Sequence, residues 1–200
     1  KNRQTLLFSA TIPYPIRRLT QRYLKHPKWI RIGGESEPVE QVEQFYYEVA
    51  AEDREIALRE VLGKNVKQAL IFRRTKAGVE RLVNHLRRNI HSVQGIHGDM
   101  NQSQREKVMS NFKSKKLRLL VATNIAARGL DIPAVSHVIN YDMPDNLEDY
   151  VHRIGRTARM RRHGTAITFV SQIEDFELLD SLQKHLGDRL VEKKLNLLYN

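Results

Sequence analysis

Short apolar runs alternate with amphipathic stretches along most of this chain. Residues 44–50, 69–72, 93–97, 117–122, 137–141 and 165–170 have the length and content of strands. Ala69-Leu-Ile-Phe72 is apolar at every position, as a strand covered on both faces requires. Between the runs lie stretches with helical spacing. Residues 52–62 end at Gly63, a natural helix stop. The next stretch carries Val79, Leu82, Val83 and Leu86 on one stripe behind Thr75, a suitable N-cap. Residues 101–113 turn Val108 and Phe112 inward, and residues 173–186 close at Gly187. This alternation predicts an α/β fold, a parallel sheet with helices on both faces. Ligands in such folds gather at the carboxyl ends of the strands. Arg73-Arg74-Thr75-Lys76, His97-Gly98-Asp99, Thr123-Asn124 and an arginine run after residue 141 all follow strands, so all four are expected at that edge.

The first 35 residues fit this scheme less neatly. Gln4-Thr-Leu-Leu-Phe8 reads as a strand, followed by Ser9-Ala10-Thr11 and a helix with Ile16, Leu19 and Tyr23 inward. Gly33-Gly34-Glu-Ser-Glu-Pro38 has the composition of a linker. Residues 1–35 are read as the tail of a preceding domain, and a strand–helix integral to the main domain is the alternative.

The arginine run is Tyr150-Val-His-Arg-Ile-Gly-Arg-Thr-Ala-Arg159. Read as a helix of about 3.6 residues per turn, it puts His152, Arg156 and Arg159 on one face. Leu147, Val151, Ile154 and Ala158 fall roughly opposite, and Gly155 and Ala158 keep the helix slim enough for close approach. Guanidinium forks fixed on one face suit phosphate oxygens. A solvated basic helix is the alternative, but it would not need a histidine and two small residues in register.

Composition narrows the class further. The 200 residues contain no cysteine, which removes disulfides, thiolate metal sites and cysteine nucleophiles together. Eight histidines are scattered without metal-ligand spacing, so no metal site is assigned to them. No apolar run approaches the length of a membrane span and nothing resembles a signal peptide, which predicts a soluble, cytoplasmic protein with no membrane partner. Lys and Arg total 34 against 23 Asp and Glu, a formal charge of +11, which favours a polyanionic partner.

Ser9-Ala10-Thr11, residues 69–76, Gln102-Ser-Gln-Arg105, residues 123–131 and residues 152–159 stand in one fixed order. Together they resemble the C-terminal half of the DEAD-box ATP-dependent RNA helicases, superfamily-two enzymes with two RecA-like domains. The likeness covers essentially the whole chain, and five motifs in order are far more specific than any one. It implies that residues 1–35 are the tail of the first RecA-like domain with the linker, and residues 36–200 the second. The family's phosphate-binding loop and Asp-Glu-Ala-Asp box belong to the first domain, and neither occurs in these residues. The resemblance therefore implies half of an active site, with ATP and Mg²⁺ held mainly by the other half. These 200 residues alone are expected to hydrolyse no ATP.

By that likeness Arg156 and Arg159 are arginine fingers, catalytic toward the γ-phosphate and part of a nucleotide site with Gly129 and Asp131. Asp131 would accept a ribose hydroxyl. Ser9, Thr11, Arg128 and His152 would couple ATP state between domains. Thr75, Gly98 and Thr123 would meet the sugar-phosphate track of RNA, with Gln102 and Arg105 bracing the same loop. The implied partners are RNA, bound without reading base sequence, and the first RecA-like domain of the same protein. Plainer readings stand beside these: Thr75 as a helix cap, Asp131 as a turn cap, His152 as a structural residue. The chain departs from the family pattern at Asn124, where Asp is usual, at Ala158, where Gly is commoner, and in the basic Arg161-Arg162-His163. Met100 stands where some relatives carry a basic residue, and 113–116 reads as a solvated basic loop.

Two other functions are compatible with part of this pattern. A DNA translocase of the same superfamily would have the same fold, but many such relatives open the arginine motif with Gln rather than His152. A non-catalytic RNA-binding module would leave Asp131, Arg156 and Arg159 without purpose. Residues 188–200 are amphipathic and suit the start of an extension.

Overall fold

The structure, a computed structural model, describes residues 3–9, 14–30, 42–63, 66–128, 130–157 and 163–195. The chain divides into two compact units, Lys1–Glu35 and Ser36–Asn200. In the first unit helix α1 spans Tyr14–Tyr23. Residues 4–8, expected as a strand, are not assigned to one, since a strand exists only where another backbone takes its N–H and C=O groups. Leu19 and Tyr23, expected inward, are about half exposed, whereas Thr20 is buried.

The second unit runs β1 (Val42–Glu48), α2 (Arg54–Gly63), β2 (Ala69–Arg73), α3 (Lys76–Leu86), β3 (Val93–Ile96), α4 (Gln102–Lys113), β4 (Leu119–Thr123), α5 (Asn124–Ala127), β5 (His137–Asn140), α6 (Leu147–Ile154), β6 (Gly164–Val170), α7 (Ile173–Leu186) and β7 (Leu190–Glu192). All seven strands join one sheet in the order β3-β4-β2-β5-β6-β1-β7, and every pairing is parallel. The period-two alternation of side chains explains how both faces are covered. Ile71, Leu119, Val121, Ile139, Ile167 and Phe169 point to one face and pack beneath α2 and α3. Leu70, Phe72, Leu120, Ala122 and Val138 point to the other, beneath α4 and α5. On that same face Tyr46, Ala166 and Val170 meet Tyr150 and Ile154 of α6 and Leu179, Leu182 and Leu186 of α7.

Local signals set several boundaries as expected. Thr75 caps α3, its hydroxyl accepting the Gly78 N–H at 3.0 Å. Asn101 and Gln104 form a reciprocal capping box on α4. Gly187 ends α7 with φ +56°, in the left-handed region that favours glycine. Two elements differ from the sequence expectation. Leu190–Glu192, read only as amphipathic, is an edge strand on β1, held by Tyr46 Oη, which donates to Glu192 at 3.4 Å, and by Lys193 over the Phe45 ring at 3.3 Å. The helix expected through the arginine run is shorter: α6 stops at Ile154 with Gly155 as its C-cap, so Arg156 and Thr157 lie beyond it.

Candidate functional site

Three of the four polar clusters do sit at the carboxyl edge. Arg73 closes β2 and Asp142 lies just beyond β5. Asp142 Oδ1 accepts from Arg73 Nη1 at 2.8 Å and Arg54 Nη1 at 2.9 Å, and its Oδ2 accepts the Arg74 N–H at 2.7 Å. The Tyr141 ring meets both guanidiniums, at 4.5 and 5.3 Å. Burial pushes the Arg73 pKa below the usual arginine range, with the Asp142 carboxylate opposing that shift. This group is a brace for the loops above it.

Above the brace, Thr75, Gly98 and Thr123 follow β2, β3 and β4, which are neighbours in the sheet at about 4.8 Å spacing. Thr123 is buried and caps the short helix α5, its Oγ1 accepting the Ala126 N–H at 3.4 Å. Arg105 Nη2 donates to the Ala126 carbonyl at 3.2 Å, so Arg105 braces the C-terminal end of α5. Gln102 makes its hydrogen bond to Glu106 of its own helix at 2.8 Å and does not share that brace.

The fourth cluster is arranged differently. Asn146 caps α6 at the carboxyl edge, and the helix runs toward the opposite edge. There Thr157 pairs with Val135, which precedes β5, and Thr157 Oγ1 donates to the Val135 carbonyl at 2.6 Å. The Val135 N–H in turn donates to the Arg156 carbonyl at 3.1 Å. Those bonds draw the chain off the helix axis, so Arg156 lies near the amino end of β5 and shares no helical stripe with His152. Asp131 is also away from the carboxyl edge, exposed, and accepts from Lys113 Nζ at 2.6 Å. Lys113, the expected last residue of α4 and also read as part of a solvated basic run, is half exposed and pairs with Asp131.

Between these ends α6 carries a group that sequence reasoning passed over. Arg153 is buried, 4% exposed, and its guanidinium lies over the Phe72 ring at 4.9 Å. Its Nε donates to Asn124 Oδ1 at 2.7 Å, and its Nη1 donates to Asn140 Oδ1 at 3.1 Å and the Asp142 carbonyl at 2.9 Å. Burial lowers its pKa to about 10, opposed by Asp149, Asp145 and Asp142, so it remains charged at neutral pH. Asn124 Nδ2 donates to Asp149 Oδ2 at 2.8 Å, and Arg128 Nη2 donates to Asp149 Oδ1. One helical turn away, the Tyr150 hydroxyl donates to Gln44 Oε1 at 2.9 Å. The available signal was the stripe Asp149, Tyr150, Arg153, Ile154, Thr157, all buried, in which a lone arginine among apolar neighbours marks a fixed cation rather than a solvated one.

Asn124, Arg128, Asp149, His152, Arg153 and Arg156 line one shallow cleft with Phe72 and Ala127. One cleft therefore brings Arg128, His152 and Arg156 together, while Thr75, Gly98 and Thr123 stand in a row at the ends of β2, β3 and β4. Ser9 is exposed in the first unit. Gly129, Arg159 and Thr11 lie outside the described residues, as do Ala10, Ala158, Arg161 and Arg162. Among the described residues no group of three or more His, Cys, Asp or Glu is arranged to hold a metal ion, and no helix is long and apolar enough to cross a membrane.

A seven-stranded parallel sheet with this helix cover is the architecture of the RecA-like C-terminal domains of helicases. Residues 53–161 match the helicase conserved C-terminal domain. The structure overlays the C-terminal domain of the DEAD-box protein Dbp5 with a TM-score of 0.72 and 34% identity, covering 78% of this chain and 92% of that one. It overlays Saccharomyces cerevisiae Dbp5 bound to RNA and ADP BeF3 with a TM-score of 0.79 and 31% identity, covering 94% and 50%. In sequence it is 43% identical over 194 residues to the DEAD-box ATP-dependent RNA helicase CshA of Geobacillus kaustophilus, covering 96% of this chain and 40% of that protein. It is 46% identical over 173 residues to ATP-dependent RNA helicase CshA of Listeria monocytogenes, covering 86% and 33%. The chain belongs to the DEAD-box helicase family, in its conserved C-terminal domain, and spans between a third and two fifths of the length of these curated relatives.

Proposed function

We propose that this chain is the second RecA-like domain of an ATP-dependent RNA helicase, residues 36–200, preceded by the tail of the first domain in residues 1–35. The observation that carries the reading is the anchoring of α6. Arg153 and Tyr150 are locked into buried hydrogen bonds, so the turn bearing Arg156 leaves the helix at a fixed point beside the cleft. An arginine finger depends on such placement, because it acts on charge that develops only in the transition state.

ATP, when bound, supplies the phosphoryl group that passes to water. Arg156 and Arg159 donate N–H groups to the phosphoryl oxygens, Asp131 accepts a ribose hydroxyl, and Gly129 completes the nucleotide side. The Lys113–Asp131 pair is exposed and weak, so it competes little with the sugar. Mg²⁺ falls to the first domain, since Asp149, the buried carboxylate of the cleft, is already held by Asn124 and Arg128. Arg128 and His152, with Ser9 and Thr11, relay the ATP state. RNA lies along Thr75, Gly98 and Thr123, with Arg105 steadying α5 through the Ala126 carbonyl and Gln102 exposed at the start of α4 for the strand itself.

The test is ATP hydrolysis by the full-length protein with and without added RNA. Turnover stimulated by RNA and abolished by Arg156→Ala is expected. Turnover indifferent to RNA, or stimulated equally by DNA of the same sequence, would overturn the assignment.

A further inference from the structure

Lys76 and Asp99 stand on the two loops that flank the RNA row, Lys76 at the first position of α3 and Asp99 just after Gly98. Their side chains form an ion pair although both are more than half exposed, 53% and 64%. The lysine stem lies across Gly98: a Cβ built there would meet Lys76 Cε at 3.6 Å. One turn along α3, Glu80 makes a second contact to the same loop, 3.4 Å from His97 Nε2. An acidic side chain is an odd neighbour for a surface meant for phosphate, since its charge repels the ligand. Here the acid is neutralised by a cation whose stem already lies across the proposed phosphate position.

Resting on the reading of Thr75, Gly98 and Thr123 as an RNA track, we propose that Lys76 is a further RNA phosphate-binding residue, and that Asp99 holds it in standby by competing with the phosphate for its ammonium. The exchange is close to balanced. An exposed ion pair is weak and salt-screened, whereas a phosphate offers the same ammonium a full negative charge together with the backbone N–H groups at the start of α3. Lysine suits this role better than arginine, because its compact charge turns on a flexible stem and is not committed to one planar partner. Asp99 stays ionised at neutral pH: the hydrogen bond from Lys76 pulls its pKa below the ordinary aspartate value. The pair therefore opens through ligand exchange rather than through protonation.

The experiment measures binding of single-stranded RNA by the full-length protein at several salt concentrations, for the unsubstituted protein, Lys76→Ala, Asp99→Asn and the double variant. Both positions are exposed, so thermal melts of all four should coincide. Lys76→Ala is expected to weaken binding and flatten the slope of log K against log salt by about 0.7, the value for one phosphate contact on a single strand. Asp99→Asn is expected to tighten binding by about threefold, in keeping with release of one exposed pair. In the double variant that gain should shrink, because part of it needs the freed ammonium. Lys76→Ala with unchanged affinity and slope, or Asp99→Asn with weakened binding, would overturn the inference while leaving the RNA track intact. No RNA binding by the unsubstituted protein would overturn the track itself and this inference with it.

Discussion

Asn124 presents both ends of its amide to charged neighbours: Nδ2 donates to Asp149 Oδ2 at 2.8 Å, and Oδ1 accepts from Arg153 Nε at 2.7 Å. Asparagine is the side chain that can do both, since an aspartate has no donor to offer Asp149 unless it is protonated. The residue that departs from the family pattern in sequence is thus matched to its acid partner in space. Through it, the cleft residue Arg128, the acid Asp149 and the buried Arg153 form one connected network.

Asn124→Asp should therefore destabilise the protein by about 1–3 kcal/mol, the range for a buried polar group left facing the wrong partner. It brings two carboxylates together, which raises the pKa of one of them. The loss should grow as pH rises from about 4 toward 7. Asp149→Asn on the same chain should restore stability by inverting the pair. Denaturant melts of both variants across that pH range check this, and a double variant no better than the single would count against the network.

Gly78 sits in the first turn of α3, where alanine would ordinarily stabilise by up to about 1 kcal/mol. Here a Cβ would fall 2.8 Å from Arg73 Nη2 and 2.9 Å from Thr75 Oγ1. Arg73 cannot swing aside freely, being held by Asp142 and stacked on Tyr141. Overpacking, at about 1–3 kcal/mol, should win over propensity, so Gly78→Ala is expected to lower stability by about 1 kcal/mol. A gain in melting temperature would show that the arginine brace is looser than described.

His137 begins β5, and burial lowers its pKa, with Glu43 opposing the shift. The folded state then binds a proton less readily than the unfolded chain, whose histidine titrates near 6.5. Stability should be unaffected by this group above about pH 7 and should fall as pH drops through about 6.5 toward the lower folded value. Comparing stability at pH 7.5 and 5.5 for the protein and for His137→Gln tests the sign: the variant should lose less on acidification.

The apolar stripes of α3, α4 and α7 were legible because periodicity records which face is buried, and the unbroken apolar run 69–72 because a strand covered on both faces needs one, with Leu70 and Ile71 pointing to opposite faces. Strand order was not legible, since β2 lies between β4 and β5 through crossovers that leave no local mark. The end of α6 was misread for a similar reason. It is set by Thr157 pairing with Val135, twenty-two residues earlier, rather than by any breaker stronger than Gly155. Arg153 was missed because a pattern of polar and apolar positions counts every arginine as exposed, and only the tertiary partners Asn124, Asn140 and Asp142 make burial of this one tolerable. The three-residue strand β7 is too short to carry a period at all.

The central claim is that Arg156 acts on the transition state. In the full-length protein, RNA-stimulated ATP turnover should be measured beside nucleotide affinity for Arg156→Lys, Arg159→Lys and the double variant. Lysine keeps the charge and loses the planar fork. Arg156→Lys should lower turnover by about 10² to 10³, approaching the loss seen when an arginine finger is removed, with nucleotide affinity changed less than about threefold. The double variant should fall well short of additive, since both groups serve one charge centre. Weakened nucleotide binding with maximal turnover intact would make Arg156 a docking group and contradict the account.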